Sequence, residues 1–162
     1  MHRATAMLLL LATVSLPQTK EAPATPPLKN VKEIQIMPTV INNPEKIKNP
    51  DAAALVEKGL RKAVLANEFQ VVESAPVKVR ISLDEFSGGS FAARFIVGFG
   101  AGRGTVDCRV QILNEDGKEI ASTRVRVRGN MTWGAYQGNT TQAKQAVNKF
   151  EQTLMDQIEK WK

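Results

Sequence analysis

The segment Thr105-Val106-Asp107-Cys108-Arg109-Val110-Gln111-Ile112-Leu113 leads through Asn114-Glu115-Asp116-Gly117 into Lys118-Glu119-Ile120-Ala121-Ser122-Thr123-Arg124-Val125-Arg126-Val127. It reads as two strands folded about a turn. Asp-Gly is favoured in two-residue type I′ hairpin loops, where both positions take positive φ. Folding there predicts Val106 opposite Val127, Cys108 opposite Val125, Val110 opposite Thr123 and Ile112 opposite Ala121. The same register sets Asp107 across from Arg126 and Glu115 across from Lys118. Burial and charge pairing agree, and a slip of one residue would lose both. One pair runs against the pattern: Arg109 faces Arg124, like charge on like charge.

Upstream, Val77 to Phe86 alternates Val77, Val79, Ile81 and Leu83 with Lys78, Arg80, Ser82 and Asp84, and Phe69 to Val72 is a shorter strand before Ser74-Ala75-Pro76. Val31 to Met37 alternates in the same way and is closed by Pro38. Between them, Asn49-Pro50-Asp51 is a helix start: a capping residue, Pro at the first helical position and an acid in the first turn. The following helix carries Leu55, Val56, Gly59, Leu60, Ala63 and Val64 on one stripe and ends near Asn67. A last helix over 139–161, with Asn139 and Gln142 as capping pair, aligns Ala143, Val147, Phe150, Leu154, Ile158 and Trp161. The order is β-α-β-β-β-β-α. It predicts an α/β (α+β) two-layer sandwich, with two helices on one face of a mixed or antiparallel sheet of about five strands.

The N-terminus reads as an address. Arg3 precedes the apolar stretch Ala4 to Leu16, and Ala22-Pro23-Ala24 offers small residues for cleavage. The stretch is shorter than the roughly 20 residues a membrane-spanning helix needs. We therefore expect a signal peptide over 1–24, a Pro-rich, extended and mobile leader over 25–30, and one α/β domain over 31–162.

Composition removes several chemistries. The 162-residue chain has one His, His2 in the expected signal peptide, and one Cys, Cys108. Ser-His-Asp and Cys-His nucleophiles, His-ligated zinc and an internal disulfide therefore have no residues to use. The net charge of +6 is basic without being extreme. Asp84 and Glu85, adjacent on a strand, should point to opposite faces and so cannot share one bond. No catalytic pair and no metal site emerge.

Two features remain as candidate contact surfaces. The first is the glycine segment from Gly88 to Gly104, which includes Arg94, Gly98, Gly100, Gly102 and Arg103. It lacks the Lys-Ser/Thr of a P-loop and breaks GxGxxG at Arg103, so no cofactor is expected. It reads as a snug connection within the domain, or as an apolar stretch over 91–102 that inserts into lipid or a neighbouring subunit. A weaker reading has Arg94 and Arg103 on phosphates. The second feature is the row Arg124, Arg126 and Arg128, pointing one way and joined by Arg109 and by Lys78 and Arg80. It is either a solvated sheet face or a surface for an acidic partner. Only Phe86 could supply the aromatic stacking of an RNA-binding sheet, which argues against nucleic acid. Trp133, on a glycine-bounded loop, is a further contact candidate.

Gly89-Ser90-Phe91-Ala92-Ala93-Arg94, Gly98-Phe99-Gly100-Ala101-Gly102-Arg103 and Asp116-Gly117-Lys118 resemble family 4410 of the bacterial domains of unknown function. The resemblance implies a small exported or lipid-anchored envelope protein with no established reaction. No Cys follows the apolar run, in contrast to lipid-anchored members, so a soluble periplasmic form is expected. Together these readings predict a non-enzymatic periplasmic binding or assembly module that meets an envelope protein or its own copies. The alternative is a membrane-associated oligomer using 91–102.

Overall fold

The computed structural model describes residues 26–88, 104–129 and 139–162, with the side chains of 139–142 excepted. Its elements are β1 (Glu33–Ile36), β2 (Val40–Ile41), a 3-10 turn (Pro44–Lys46), α1 (Ala52–Ala66), β3 (Gln70–Val71), β4 (Lys78–Ser87), β5 (Thr105–Leu113), β6 (Glu119–Arg128) and α2 (Asn139–Trp161). Six strands form one mixed sheet in the order β3-β1-β4-β5-β6, with β2 also paired to β4. The pairs β1–β3, β1–β4 and β2–β4 are parallel; β4–β5 and β5–β6 are antiparallel.

The extra strand has a simple origin. Pro38 interrupts β1 without ending its path, and the chain continues along the same edge of β4. The Met37, Asn42 and Lys48 amides donate to the carbonyls of Val79, Leu83 and Phe86 in turn. One edge is thus made in pieces.

Apolar alternation decides which sheet face is covered. Val79, Ile81, Leu83 and Phe86 of β4, Val106, Cys108, Val110 and Ile112 of β5, and Ala121 and Val125 of β6 are buried in one cluster. Both helices lie against it. α1 contributes Val56, Leu60, Ala63 and Val64; α2 contributes Ala146, Phe150, Leu154, Ile158 and Trp161. Ala146 is more deeply buried than its expected stripe neighbours Ala143 and Val147, a small rotation of the buried face. α1 starts later than the Asn49-Pro50-Asp51 signal predicts: Asp51 is its N-cap without a side-chain cap bond, and the Asn49 side chain instead accepts from the Asp51 amide at 2.8 Å in the turn before the helix. At its end the buried Asn67 side chain donates to the carbonyls of Ala63 and Met155, tying α1 to α2. The proposed Asn139–Gln142 cap falls on side chains outside the described set.

Three local expectations change. Residues 26–30, read as a mobile leader, form turns and bury Leu28 in the core, its amide donating to the Trp161 carbonyl at 2.8 Å. The hairpin turn is not type I′, because only Gly117 has positive φ (+77°). The Gly117 amide donates to the Asn114 carbonyl at 2.9 Å and the Asn114 amide to the Lys118 carbonyl at 2.9 Å. That is a three-residue loop, a type I turn closed by a left-handed glycine. It pairs Lys118 with Asn114 instead of Glu115, and the register shifts by one residue between Ile112 and Leu113. Beyond that shift, every expected pair from Val106/Val127 to Ile112/Ala121 is present. The third change is a bulge in β4 between Leu83 and Glu85. It leaves Asp84 and Glu85 both partly exposed and returns Phe86 to the core.

Gly59 lies where the two helices cross. A Cβ there would sit 3.1 Å from Glu151 Cγ and 3.3 Å from the Phe150 ring. Overpacking of this kind costs about 1–3 kcal/mol. Gly59→Leu should therefore lower the urea midpoint by a corresponding amount with an unchanged m-value.

Candidate functional site: the arginine-lined sheet face

Strand alternation sends Ser82, Asp107, Arg109, Gln111, Arg124, Arg126 and Arg128 to the face opposite the helices. Directly opposed arginines should repel. Arg109 and Arg124 do face one another in register, yet their guanidinium groups turn apart. Arg124 reaches diagonally to Asp107, with Nε to Oδ1 at 2.9 Å and Nη2 to Oδ2 at 3.0 Å. Arg109 turns the other way, donating from Nη2 to Glu119 Oε1 at 2.9 Å and to Ser122 Oγ at 2.9 Å. Two carboxylates separate two like charges.

Asp107 is the centre of the first group. It is 3% exposed although it lies on the helix-free face. Besides its two bonds from Arg124, it lies 3.3 Å from Arg126 Nε. Arg126 also lies 3.8 Å from Glu85, which the bulge places opposite Asp107. The second group centres on Glu119. Gln111 donates to it at 2.7 Å and Ser122 at 2.8 Å, while Gln111 Oε1 accepts from Arg80 Nε at 3.2 Å and Ser82 Oγ at 3.3 Å. Lys78 donates to the Glu115 carbonyl at 3.0 Å. Arg128 makes no ion pair among the described residues.

The arginines are held but not hidden. The side chains of Arg124 and Arg126 are 65% and 52% exposed, so unused N–H donors still face solvent. The hydrogen bonds from Arg124 to Asp107, and the attraction between their charges, raise the guanidinium pKa further. Such a surface is cationic, with guanidinium groups oriented by carboxylates.

Cys108 lies beneath it on the core side, fully buried. Burial first, then the charges of Asp107 and Asp84, push its thiol from an ordinary value of 9.0 up to about 12. Thiolate chemistry at neutral pH is thereby closed to it.

Of the residues singled out from sequence, the structure gathers Arg109, Arg124, Arg126 and Arg128 on one face. Arg94, Gly98, Gly100, Gly102, Arg103 and Trp133 lie outside the described residues, as do the signal segment 1–24 and the stretch 91–102. Sequence reading missed Glu119 and Gln111 because their contacts run diagonally between strands. Among the described residues no group of three or more His, Cys, Asp or Glu gathers in a way that could hold a metal ion. No described helix is long and apolar enough to cross a membrane.

These features define an α+β sandwich with one sheet face packed on helices and the other carrying an ordered ion-pair network. The chain belongs to the family described as Domain of unknown function (DUF4410), whose pattern it matches over residues 19–135. No curated protein matches it. Among solved structures it is similar to the PelC dodecamer from Paraburkholderia phytofirmans at 12% identity, covering 76% of this chain and 85% of that one with a TM-score of 0.52. A single-residue variant of that dodecamer gives 11% identity, 80% and 85% coverage and a TM-score of 0.53. An uncharacterized protein is similar at 7% identity, with 81% and 92% coverage and a TM-score of 0.52. At these identities the likeness is one of fold.

Two outcomes follow from the buried pair of neighbours, Asp107 and Cys108. Asp107→Asn should cost about 1.5–3 kcal/mol in denaturant unfolding, the range for hydrogen bonds to a charged group. The unfolded chain loses the thiol proton above about pH 9, while the folded chain keeps it until about pH 12. The thiol's contribution is therefore intact below pH 9 and is lost as pH rises through that window. Wild-type stability relative to Cys108→Val should fall there by up to about 1.4 kcal/mol per pH unit, read from urea melts at stepped pH.

Proposed function

We propose that this chain is an exported cell-envelope protein, released from its signal peptide into the periplasm, which works by contact as a binding or assembly module and not by catalysis. The observation that carries this reading is the arginine face itself. Asp107 and Glu119 fix Arg124 and Arg109 in place, yet more than half of each of these arginine side chains stays open to solvent. Ordering those side chains before a partner arrives removes part of the entropy cost of association. Membership of the family is in keeping with an envelope role, and the shared fold with the PelC dodecamer is compatible with self-association. The partner on the open face is acidic, matching the cationic row.

Fractionation of expressing cells, N-terminal sequencing of the product and light scattering test the reading together. The expected result is a periplasmic protein beginning near residue 25 that runs as an oligomer without lipid. A cytosolic chain retaining Met1 to Ala24, or turnover of a defined substrate by the pure product, would overturn it. Flotation of the pure protein with liposomes would favour insertion through 91–102 instead.

A further inference from the structure

The hydrogen-bond phase of the β5–β6 ladder identifies a second property of the arginine row. The Gly129 amide donates to the Gly104 carbonyl at 2.8 Å, so these two form a hydrogen-bonded pair. In an antiparallel ladder such pairs alternate with non-bonded ones. The bonded pairs are therefore Val106/Val127, Cys108/Val125, Val110/Thr123 and Ile112/Ala121, in the observed register. The N–H and C=O groups of Ser122, Arg124, Arg126 and Arg128 consequently point away from β5. Among the described residues β6 is the last strand of the sheet, and none of them pairs with its outer side. The residues that present free backbone groups at this edge are thus the same ones whose side chains form the cationic row.

A ten-residue edge strand is a template for pairing. Its charges decide what can pair. A second copy of β6 laid antiparallel would set arginine row against arginine row, which is destabilising. An apolar or basic strand gains nothing from the side chains. A strand with an acid at every second residue satisfies both the backbone and the guanidinium groups at once.

We infer that the free edge of β6 is a strand-addition site for an extended acidic protein segment, whose carboxylates alternate in step with Arg124, Arg126 and Arg128. This rests on the contact-module reading and specifies its partner's chemistry. Main-chain bonds supply affinity and the alternating acids supply selection, as in other cases of strand addition to an exposed edge. Arg128, which makes no ion pair among the described residues, is the member of the row best placed to meet such a segment.

The probe is a fluorescent peptide of about ten residues alternating Glu and Thr, titrated by anisotropy into the purified protein. Three comparisons accompany it: the same peptide N-methylated at every second amide on one edge, a peptide with its glutamates grouped at one end, and the Arg128→Glu protein. Strand addition predicts that each binds at least tenfold more weakly than the native pair, a difference of about 1.4 kcal/mol. Arg128→Glu leaves the Asp107 pairs untouched, and its unchanged melting curve shows that folding is not the cause. Equal binding of methylated and unmethylated peptides would overturn the inference in favour of plain charge attraction, as for any anionic polymer. Absence of binding by a correctly exported, oligomeric protein would also overturn it, while leaving the contact-module reading in place. Failure of export or assembly would be seen in the fractionation and scattering, independently of the titration.

Discussion

The relative register of β5 and β6 is the constraint on which the molecule depends. Side chains alternate with a period of two, so a shift of one residue would drive Arg124, Arg126 and Arg128 into the helix-covered core and expel Val125 and Val127. Burying unpaired guanidinium groups costs far more than any compensating contact could return. The observed register instead places Cys108, Val110 and Ile112 against α1 and α2 and sends the charges outward. Core and surface are settled by one choice.

That choice creates a local problem, which the outer face resolves. Lys78, Arg80, Arg109, Arg124, Arg126 and Arg128 lie on or beside this face, with Arg109 directly opposing Arg124. Asp107 and Glu119 draw these two apart, each accepting hydrogen bonds on both carboxylate oxygens. The bulge at Asp84 adds Glu85 beside Arg126. Exposed ion pairs contribute little to stability one at a time. Their effect here is geometric: the network fixes where Arg109, Arg124 and Arg126 point, and so gives this sheet face a defined pattern of charge.

Much of this was legible in the sequence. Two independent alternations, apolar on one side and charged on the other, agreed on the hairpin register, and the helical stripes of α1 and α2 were nearly as clear. The turn was misread because Asp116-Gly117 suits a two-residue loop and a three-residue loop alike; only the Asn114–Lys118 bonding separates them. The bulge did leave a trace, since the apolar positions move from odd (Val79, Ile81, Leu83) to even (Phe86). β2 was hidden because two residues between Pro38 and Asn42 carry no periodicity. Leu28, a lone apolar residue after Pro26-Pro27, gave no sign of its packing beneath α2. The partners of the arginines were not settled by register alone, because a long side chain reaches either the residue directly opposite or its diagonal neighbours.

Amide hydrogen exchange along β6 measures this register most directly. Val125 and Val127 should be protected by their bonds to Cys108 and Val106, while the flanking Arg124 and Arg126 exchange quickly, a sawtooth with a period of two. Uniform protection along the strand, or the same sawtooth displaced by one residue, would show that the arginine row does not lie where it is described.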